Sequence, residues 1–490
     1  MKKYIITISL AFIGIFCFQF LSSQYKIELK IPGMDNDTIL FGHYFNESIS
    51  LKDTFFMNDG TAIIQGEEEL PEGMYTLYFR DKKRLDLLID KDQQFQISTD
   101  PDDLLNKTRF KGSEQNRIFY DYLEYLAKKR NDIRPLQEKM AAVSDENDSL
   151  FLVNEINMIN EEVKEYVNGV IQNNEGTLLS KFLLAMKDIE VPEPPKDEEG
   201  NVIDPNFRAK YYKNHYFDYF DISDVRLLRT PVYANKIKTY LDKWVYPSPD
   251  SIYEEVDFLI EKSRSDSLLF KYMLTTLFNY YAKSKYVGMD AIYAYIGEKY
   301  YLPEATWSSD EFKEKLRERI EKINPLMIGK KAPDAQLVYV PDDHFKAAAE
   351  DTAVKSNPYI GDFFNIHDID ANFTILYFWE ADCGHCKETI PKLYELYNEL
   401  KNKGLKVVAI NMLGGVEGKE KWVDFINEHH LYGWINAWNP YDYTYRETYD
   451  ITSSNILYLF DKDLKIIAKR ISPEQVKSII LQEFDKSDGF

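Results

Sequence analysis

The patterning begins with strict alternation. In Tyr25-Lys26-Ile27-Glu28-Leu29-Lys30-Ile31 the apolar side chains fall on one face of a strand and the charges on the other. Short runs of the same kind follow at Ile39-Leu40-Phe41, Ala62-Ile63-Ile64, Met74 to Phe79, Leu85 to Ile89 and Phe95-Gln96-Ile97. Asn58-Asp59-Gly60 and Glu72-Gly73 stand between them as turn signals. Residues 24–110 therefore predict an antiparallel β-domain. After Gly112 the period becomes helical. Phe119, Tyr122, Leu123 and Leu126 share a face, and comparable spacings recur to Ile323, with one acidic, proline-bearing interruption from Glu190 to Pro205. This predicts an all-α domain over residues 111–326, without a fixed-period repeat. Tyr212, Tyr216, Tyr219 and Phe220 form an aromatic stripe on one such helix, suited to packing on neighbouring helices more than to binding a peptide.

From about Met327 strands alternate with helices. Phe373 to Trp379 is an apolar run of buried-strand type, and Leu393, Leu396, Tyr397 and Leu400 form a helical face ending near Gly404. Leu405 to Ile410 reads as a second buried strand, Trp422, Phe425 and Ile426 as a second helix, and Asn455 to Phe460 as a further strand. Ser472-Pro473-Glu474-Gln475 has the form of a capping box with proline at the first helical position. Residues 327–490 thus predict an α/β domain with a largely parallel sheet.

The N-terminus changes the compartment. Lys2 and Lys3 precede an almost wholly apolar run from Tyr4 to Leu21, and Ser22-Ser23-Gln24 supplies a small-residue cleavage site. Residues 1–23 are expected to be a cleaved signal peptide, directing the protein out of the cytoplasm, most simply to the periplasm of a Gram-negative cell. The run approaches the ~18 residues that span a bilayer, so an uncleaved anchor facing the periplasm is the alternative, and membrane is a partner only in that case. Cys17 lacks the small residues of a lipid-attachment site before it and is expected to leave with the signal.

Composition then removes whole classes. In 490 residues there are 81 acidic and 60 basic side chains, a formal charge of −21, which argues against nucleic acid as a partner. Three cysteines are too few for a disulfide-stapled scaffold.

The remaining two cysteines lie together in Cys383-Gly384-His385-Cys386, directly after the buried strand and at the start of a helix. Free N–H groups and the helix dipole favour a thiolate on Cys383 there, and His385, if protonated, would add to this. The spacing lets Cys386 attack a mixed disulfide formed on Cys383. Zinc would need two further ligands, and the seven histidines offer only one adjacent couple, His429-His430. Haem attachment needs histidine where Lys387 stands. A plain structural disulfide is the main rival reading. No metal or cofactor is expected.

The stretch Thr374-Ile375-Leu376-Tyr377-Phe378-Trp379-Glu380-Ala381-Asp382-Cys383-Gly384-His385-Cys386-Lys387, with Pro391 following, resembles the active site of thioredoxin-fold proteins, above all exported thiol–disulfide oxidoreductases of the TlpA/ResA type. Residues 25–110 and the helical middle, including Asp221-Ile222-Ser223-Asp224-Val225-Arg226-Leu227-Leu228-Arg229-Thr230-Pro231, are similar to uncharacterised domains that precede such modules. The resemblance implies attack by Cys383 on a disulfide, resolution by Cys386, a helix kink at Pro391, and protein or peptide thiols and a redox partner protein as partners.

Three positions depart from the family pattern. The proline that forms a cis bond opposite the cysteines is replaced by Asn455, after Ser454 in the loop that aligns substrate, and a non-proline cis bond costs ~2.5–4 kcal/mol, so a trans bond is expected. Tyr377 stands where thioredoxin has a buried aspartate, and Thr389 where many ResA-type proteins have glutamate. Glu380 and Asp382 instead place two acids just before Cys383, with Glu380 a candidate for proton transfer to Cys386. Glu380 also occupies the place of the threonine expected of a peroxidase on this fold. The expected function is disulfide exchange; the alternative is a non-catalytic binding or scaffold protein with a degenerate domain.

Overall fold

The computed structural model describes residues 24–487 apart from 35–36, 80–82, 144, 285 and 358–360. The expected signal segment, with Cys17, lies outside the described residues. Alternation in sequence becomes alternation of burial in β1 (Tyr25–Lys30), where Tyr25, Ile27 and Leu29 are buried. The strands β2 (Thr38–Phe45), β3 (Ser48–Phe56), β4 (Thr61–Gly66), β5 (Gly73–Tyr78), β6 (Arg84–Ile89), β7 (Gln94–Ser98) and β8 (Arg109–Lys111) complete two four-stranded sheets, ordered β4-β1-β7-β8 and β3-β2-β5-β6. Pairing is antiparallel as expected, except that β1 and β7 run parallel. The turn before β4 uses two left-handed residues, Asp59 (φ 48°) and Gly60 (φ 67°). A Cβ on Gly60 would sit 2.7 Å from the Ile31 carbonyl oxygen, so the turn requires glycine.

The helix Glu114–Ala142 docks on this β-domain through Phe119 and Tyr122 and through buried Asn116, whose amide bonds both the N–H and the carbonyl of Leu88 at 2.8 and 2.7 Å. It pairs with a second long helix, Glu146–Asn173. The aromatic stripe differs in one respect from its expectation: the helix Phe207–His215 stops before Tyr216, Tyr219 and Phe220. Bonds to the third preceding carbonyl, at Tyr216, Asp218 and Phe220, tighten the chain into successive turns. The stripe nevertheless packs. Tyr216 and Phe220 are buried, Tyr212 stacks on Trp244, and the Lys187 ammonium lies over the Tyr219 ring.

The chain forms two compact units divided between Trp244 and Val245. The helical region is therefore shared, and the helices Pro249–Lys262, Ser267–Ala282 and Asp310–Ile323 belong to the same unit as the C-terminal sheet. Among the described residues no helix is long and apolar enough to cross a membrane.

The C-terminal sheet contains β9 (Gln336–Tyr339), β10 (Asp362–Asn365), β11 (Phe373–Trp379), β12 (Leu405–Asn411), β13 (Ile435–Trp438), β14 (Ile456–Phe460) and β15 (Ile466–Lys469), in the order β10-β9-β13-β12-β11-β14-β15. The sheet is mixed, which corrects the expectation of a largely parallel one. Only β11–β12 and β12–β13 pair in parallel; β10–β9, β9–β13, β11–β14 and β14–β15 are antiparallel. A parallel pair needs a crossover, and the helices Gly384–Leu400 and Gly415–Glu428 supply the two that exist. The short Asp461–Lys465 connection can make only a hairpin.

Every residue of β11 is buried. Ile375, Tyr377 and Trp379 enter one core with Cys386, Ile390 and Leu393 of the following helix and with Val476 and Ile480 of the last helix. Leu376 and Phe378 enter the core on the opposite face, with Tyr445, Tyr449 and Tyr458. The last helix starts with the expected reciprocal cap: Ser472 N–H donates to Gln475 Oε1 at 2.9 Å, and Gln475 N–H to Ser472 Oγ at 3.4 Å.

Candidate active site

The site forms where β11 ends. Glu380, Ala381 and Asp382 turn the chain, Cys383 N–H donating to the Glu380 carbonyl at 3.2 Å, and the helix starts at Gly384. Cys383 is the N-cap of that helix, in extended backbone conformation (φ −78°, ψ 120°). Its sulfur takes the place of the usual capping oxygen, accepting from Cys386 N–H at 3.1 Å. Both thiols are free, Cys383 partly exposed and Cys386 fully buried.

This difference in setting separates the two acidities. Burial alone would raise the Cys383 pKa, but hydrogen bonds from the Cys386 thiol, the Ser454 hydroxyl and the backbone N–H groups of Cys386 and His385 outweigh it, and the net direction is down. Cys386 moves up, first through burial and then through its thiol bonding to Cys383. A thiolate is therefore favoured on the accessible sulfur and a thiol on the hidden one.

The sequence-derived candidates divide accordingly. The Ser454 hydroxyl lies near Cys383 and favours its thiolate. His385 is exposed and contributes its backbone N–H. Glu380 likewise reaches Cys386 through its backbone, while its carboxylate lies within electrostatic range of Tyr445. Asp382, the second acid, is paired with Lys421 at 2.9 Å, and Lys421 also holds Glu417 at 2.8 Å. Pro391 sits exposed inside the helix, where it cannot donate to the Lys387 carbonyl.

Asn455 has no cis bond, in line with expectation: the described residues contain none. The turn is made by a left-handed backbone instead, with φ of 66°, a region asparagine tolerates better than most residues. Its N–H donates to the Phe378 carbonyl at 2.8 Å, fixing the loop to the end of β11. Its side chain accepts from the buried Tyr377 hydroxyl at 2.8 Å. That hydroxyl also lies within hydrogen-bonding reach of Cys386 and Thr389. In the sequence Tyr377 and Thr389 stand out only as replacements of other residues. Their signal was the period of two along β11, which puts Tyr377 on the face that the cysteine-bearing helix covers. Lys421 was missed altogether, although Glu417 four residues earlier marks it as a helix ion-pair partner.

Residues 371–466, which carry β11, both cysteines, Ser454 and Asn455, match the family described as thioredoxin-like. The C-terminal module is a thioredoxin-like domain. Residues 25–119 and 160–325 match two domains of unknown function, DUF4369 and DUF5106. The thioredoxin-like domain is similar to the thiol-disulfide oxidoreductase ResA of Oceanobacillus iheyensis, 29% identical over 105 residues. That match covers 21% of this chain and 45% of the relative, so the chain spans about half the length of the curated relative it matches. Among solved structures, a domain of a possible thiol-disulfide isomerase from Cytophaga hutchinsonii is 31% identical, covering 34% of this chain and 99% of that one, with a TM-score of 0.28. A thioredoxin-like protein from Bacteroides caccae is 18% identical, covering 60% of this chain and 99% of that one, with a TM-score of 0.42. By sequence, the thioredoxin-like domain resembles a thiol-disulfide oxidoreductase of the ResA type.

Proposed function

We propose that this protein is an exported thiol–disulfide oxidoreductase, acting outside the cytoplasm on protein or peptide disulfides through Cys383-Gly384-His385-Cys386. The observation that carries the reading is the asymmetry of the pair: Cys383 caps a helix, partly exposed, with Cys386 N–H 3.1 Å from its sulfur, while Cys386 is buried behind it. Backbone N–H groups aimed at a sulfur stabilise the thiolate that thiol–disulfide exchange needs.

The chemistry follows from that arrangement. The Cys383 thiolate attacks one sulfur of a substrate disulfide, forming a Cys383–substrate disulfide and releasing the other substrate sulfur as a thiolate. Cys386 gives up its proton, to that leaving thiolate or to water, and attacks Cys383. The products are a Cys383–Cys386 disulfide and the second substrate thiol. Two electrons pass from the pair to the substrate, and the reverse sequence oxidises a dithiol. Ser454 and the N–H groups of Cys386 and His385 hold charge at Cys383. Asn455 shapes the loop beside it.

The test is reduction of insulin by purified protein with a thiol reductant. Turnover that disappears in Cys383→Ser supports the reading; no turnover in the wild type contradicts it.

A further inference from the structure

The Tyr377 hydroxyl is completely buried, has one hydrogen to give, and donates it to Asn455 Oδ1 at 2.8 Å, while Cys386 shares its buried cluster and brings its sulfur near the same hydroxyl. We propose that Tyr377 is a positioning residue for the resolving thiol, its O–H donating to Asn455 while Cys386 is a thiol and turning to donate to the Cys386 sulfur when that sulfur becomes a thiolate. The inference rests on the disulfide-exchange reading of the pair and adds to it a physical link between the loop at Asn455 and the second chemical step.

Once Cys383 is tied up in a mixed disulfide it carries no charge, and the obstacle left at Cys386 is burial, the largest cause of its raised pKa. Cys386 is fully buried, so its thiolate must be stabilised by donors from the protein. Two contribute: the backbone N–H of Glu380 and the hydroxyl of Tyr377. The first is fixed by the turn. The second is a rotor, because a phenolic hydrogen turns about its C–O bond to suit its acceptor.

Acceptor strength then decides where the hydrogen lies. A neutral thiol is a weak acceptor and an amide oxygen a good one, so the resting dithiol leaves the hydrogen on Asn455. A thiolate is charged, and hydrogen bonds to charged acceptors are about twice as strong as neutral ones. Tyr377 itself stays protonated, since burial and the two nearby sulfurs raise its pKa. The Thr389 hydroxyl lies near the tyrosine oxygen and can donate to it, which leaves the tyrosine hydrogen to serve the other two. Asn455 is only half-buried and sits beside Ser454, whose hydroxyl lies near Cys383. A substrate backbone N–H that occupies Asn455 Oδ1 would release the tyrosine hydrogen to Cys386 as the mixed disulfide forms.

The two residues therefore have opposite effects when altered. Tyr377→Phe keeps the ring and removes the donor, whereas Asn455→Gly removes the competing acceptor and suits the left-handed backbone at φ 66°. The experiment is stopped-flow reaction of the reduced full chain, in a Cys17→Ser background, with an aromatic disulfide that releases a coloured thiolate. The first release reports attack by Cys383, and the second reports resolution by Cys386. Tyr377→Phe should leave the first phase within about twofold, slow the second about tenfold at pH 7, and raise the pH midpoint of the second by about one unit. Asn455→Gly should speed the second phase and lower its midpoint. An unchanged second phase and pH profile in Tyr377→Phe, or a shift of both variants in the same direction, overturns the proposal. Absence of the first phase in the wild-type pair overturns instead the disulfide-exchange reading on which it rests.

Discussion

The backbone N–H of Cys386 points at the sulfur of Cys383 across 3.1 Å, so the backbone of one cysteine favours a thiolate on the other. The same helical turn that makes this bond buries the Cys386 side chain under β11. One stretch of backbone thus sets both acidities, lowering Cys383 and raising Cys386.

The first consequence is a pH profile. A depressed Cys383 pKa means that its thiolate persists as pH falls below the ordinary thiol value of about 8.5. Alkylation of the reduced protein by iodoacetamide, followed residue by residue with mass spectrometry, should show Cys383 reacting with a midpoint below 8.5 and Cys386 remaining unmodified at neutral pH. A midpoint at or above that of a free thiol would remove the basis for a primed nucleophile.

Ser454→Ala deletes a hydroxyl donor to the Cys383 sulfur. A hydrogen bond to a charged group is worth about 1.5–3 kcal/mol, less at a partly exposed sulfur, so alkylation at pH 6.5 should slow about 3- to 10-fold. Its midpoint should move up, while the rate at high pH, where the thiolate is complete in both proteins, converges. Equal rates at both pH values would place Ser454 outside the site's electrostatics.

A third expectation concerns stability. His344 is buried, accepts from the Lys419 ammonium at 3.0 Å, and has its pKa pushed down to about 4 by burial and by that charge. The unfolded chain takes up the proton near pH 6.5, the folded one only near 4, so His344's contribution is complete above about 6.5 and is lost as pH falls towards 4. The loss is on the order of 3 kcal/mol. In urea unfolding between pH 7 and 4, His344→Phe should show a shallower decline than the wild type. Parallel declines would mean that His344 does not stay neutral in the folded state.

In the N-terminal unit, Asn116→Leu should destabilise by about 2–4 kcal/mol, because it strips partners from both the N–H and the carbonyl of Leu88. Thermal unfolding measures it. A change below 0.5 kcal/mol would show that the Glu114–Ala142 helix docks through its apolar face alone.

What could be read from the sequence depended on whether burial left a period. Six strands of the N-terminal unit alternate or run apolar and were legible. β3 was not, because Ser48 to Phe56 is exposed over most of its length and so carries no alternation. In the C-terminal unit β11, β12 and β14 declared themselves as apolar runs, whereas β9, β10, β13 and β15 have four residues each, too few for a period to show. All four pair with a neighbour antiparallel or lie at the margin of the parallel core, which is why the sheet looked more parallel than it is. At the site, Cys383 and Cys386 were legible because spacing and helix position are local properties. Ser454 and Asn455 were legible through family resemblance. The roles of Tyr377 and Thr389 were not, since they arise from a strand, a helix and a loop meeting across 78 residues of chain, from Tyr377 to Asn455.

In the proposed exchange, Cys383 attacks disulfides and Cys386 resolves the product. Cys386→Ala isolates the first step, because an attacking Cys383 then has no partner to release it. Purified from cells after acid quenching and run on non-reducing gels, this variant should carry reducible mixed disulfides at Cys383, identifiable by mass spectrometry and absent from the Cys383→Ser, Cys386→Ala double variant. A Cys386→Ala protein that emerges with Cys383 as a free thiol, and stays so when mixed with oxidised insulin, would contradict the account.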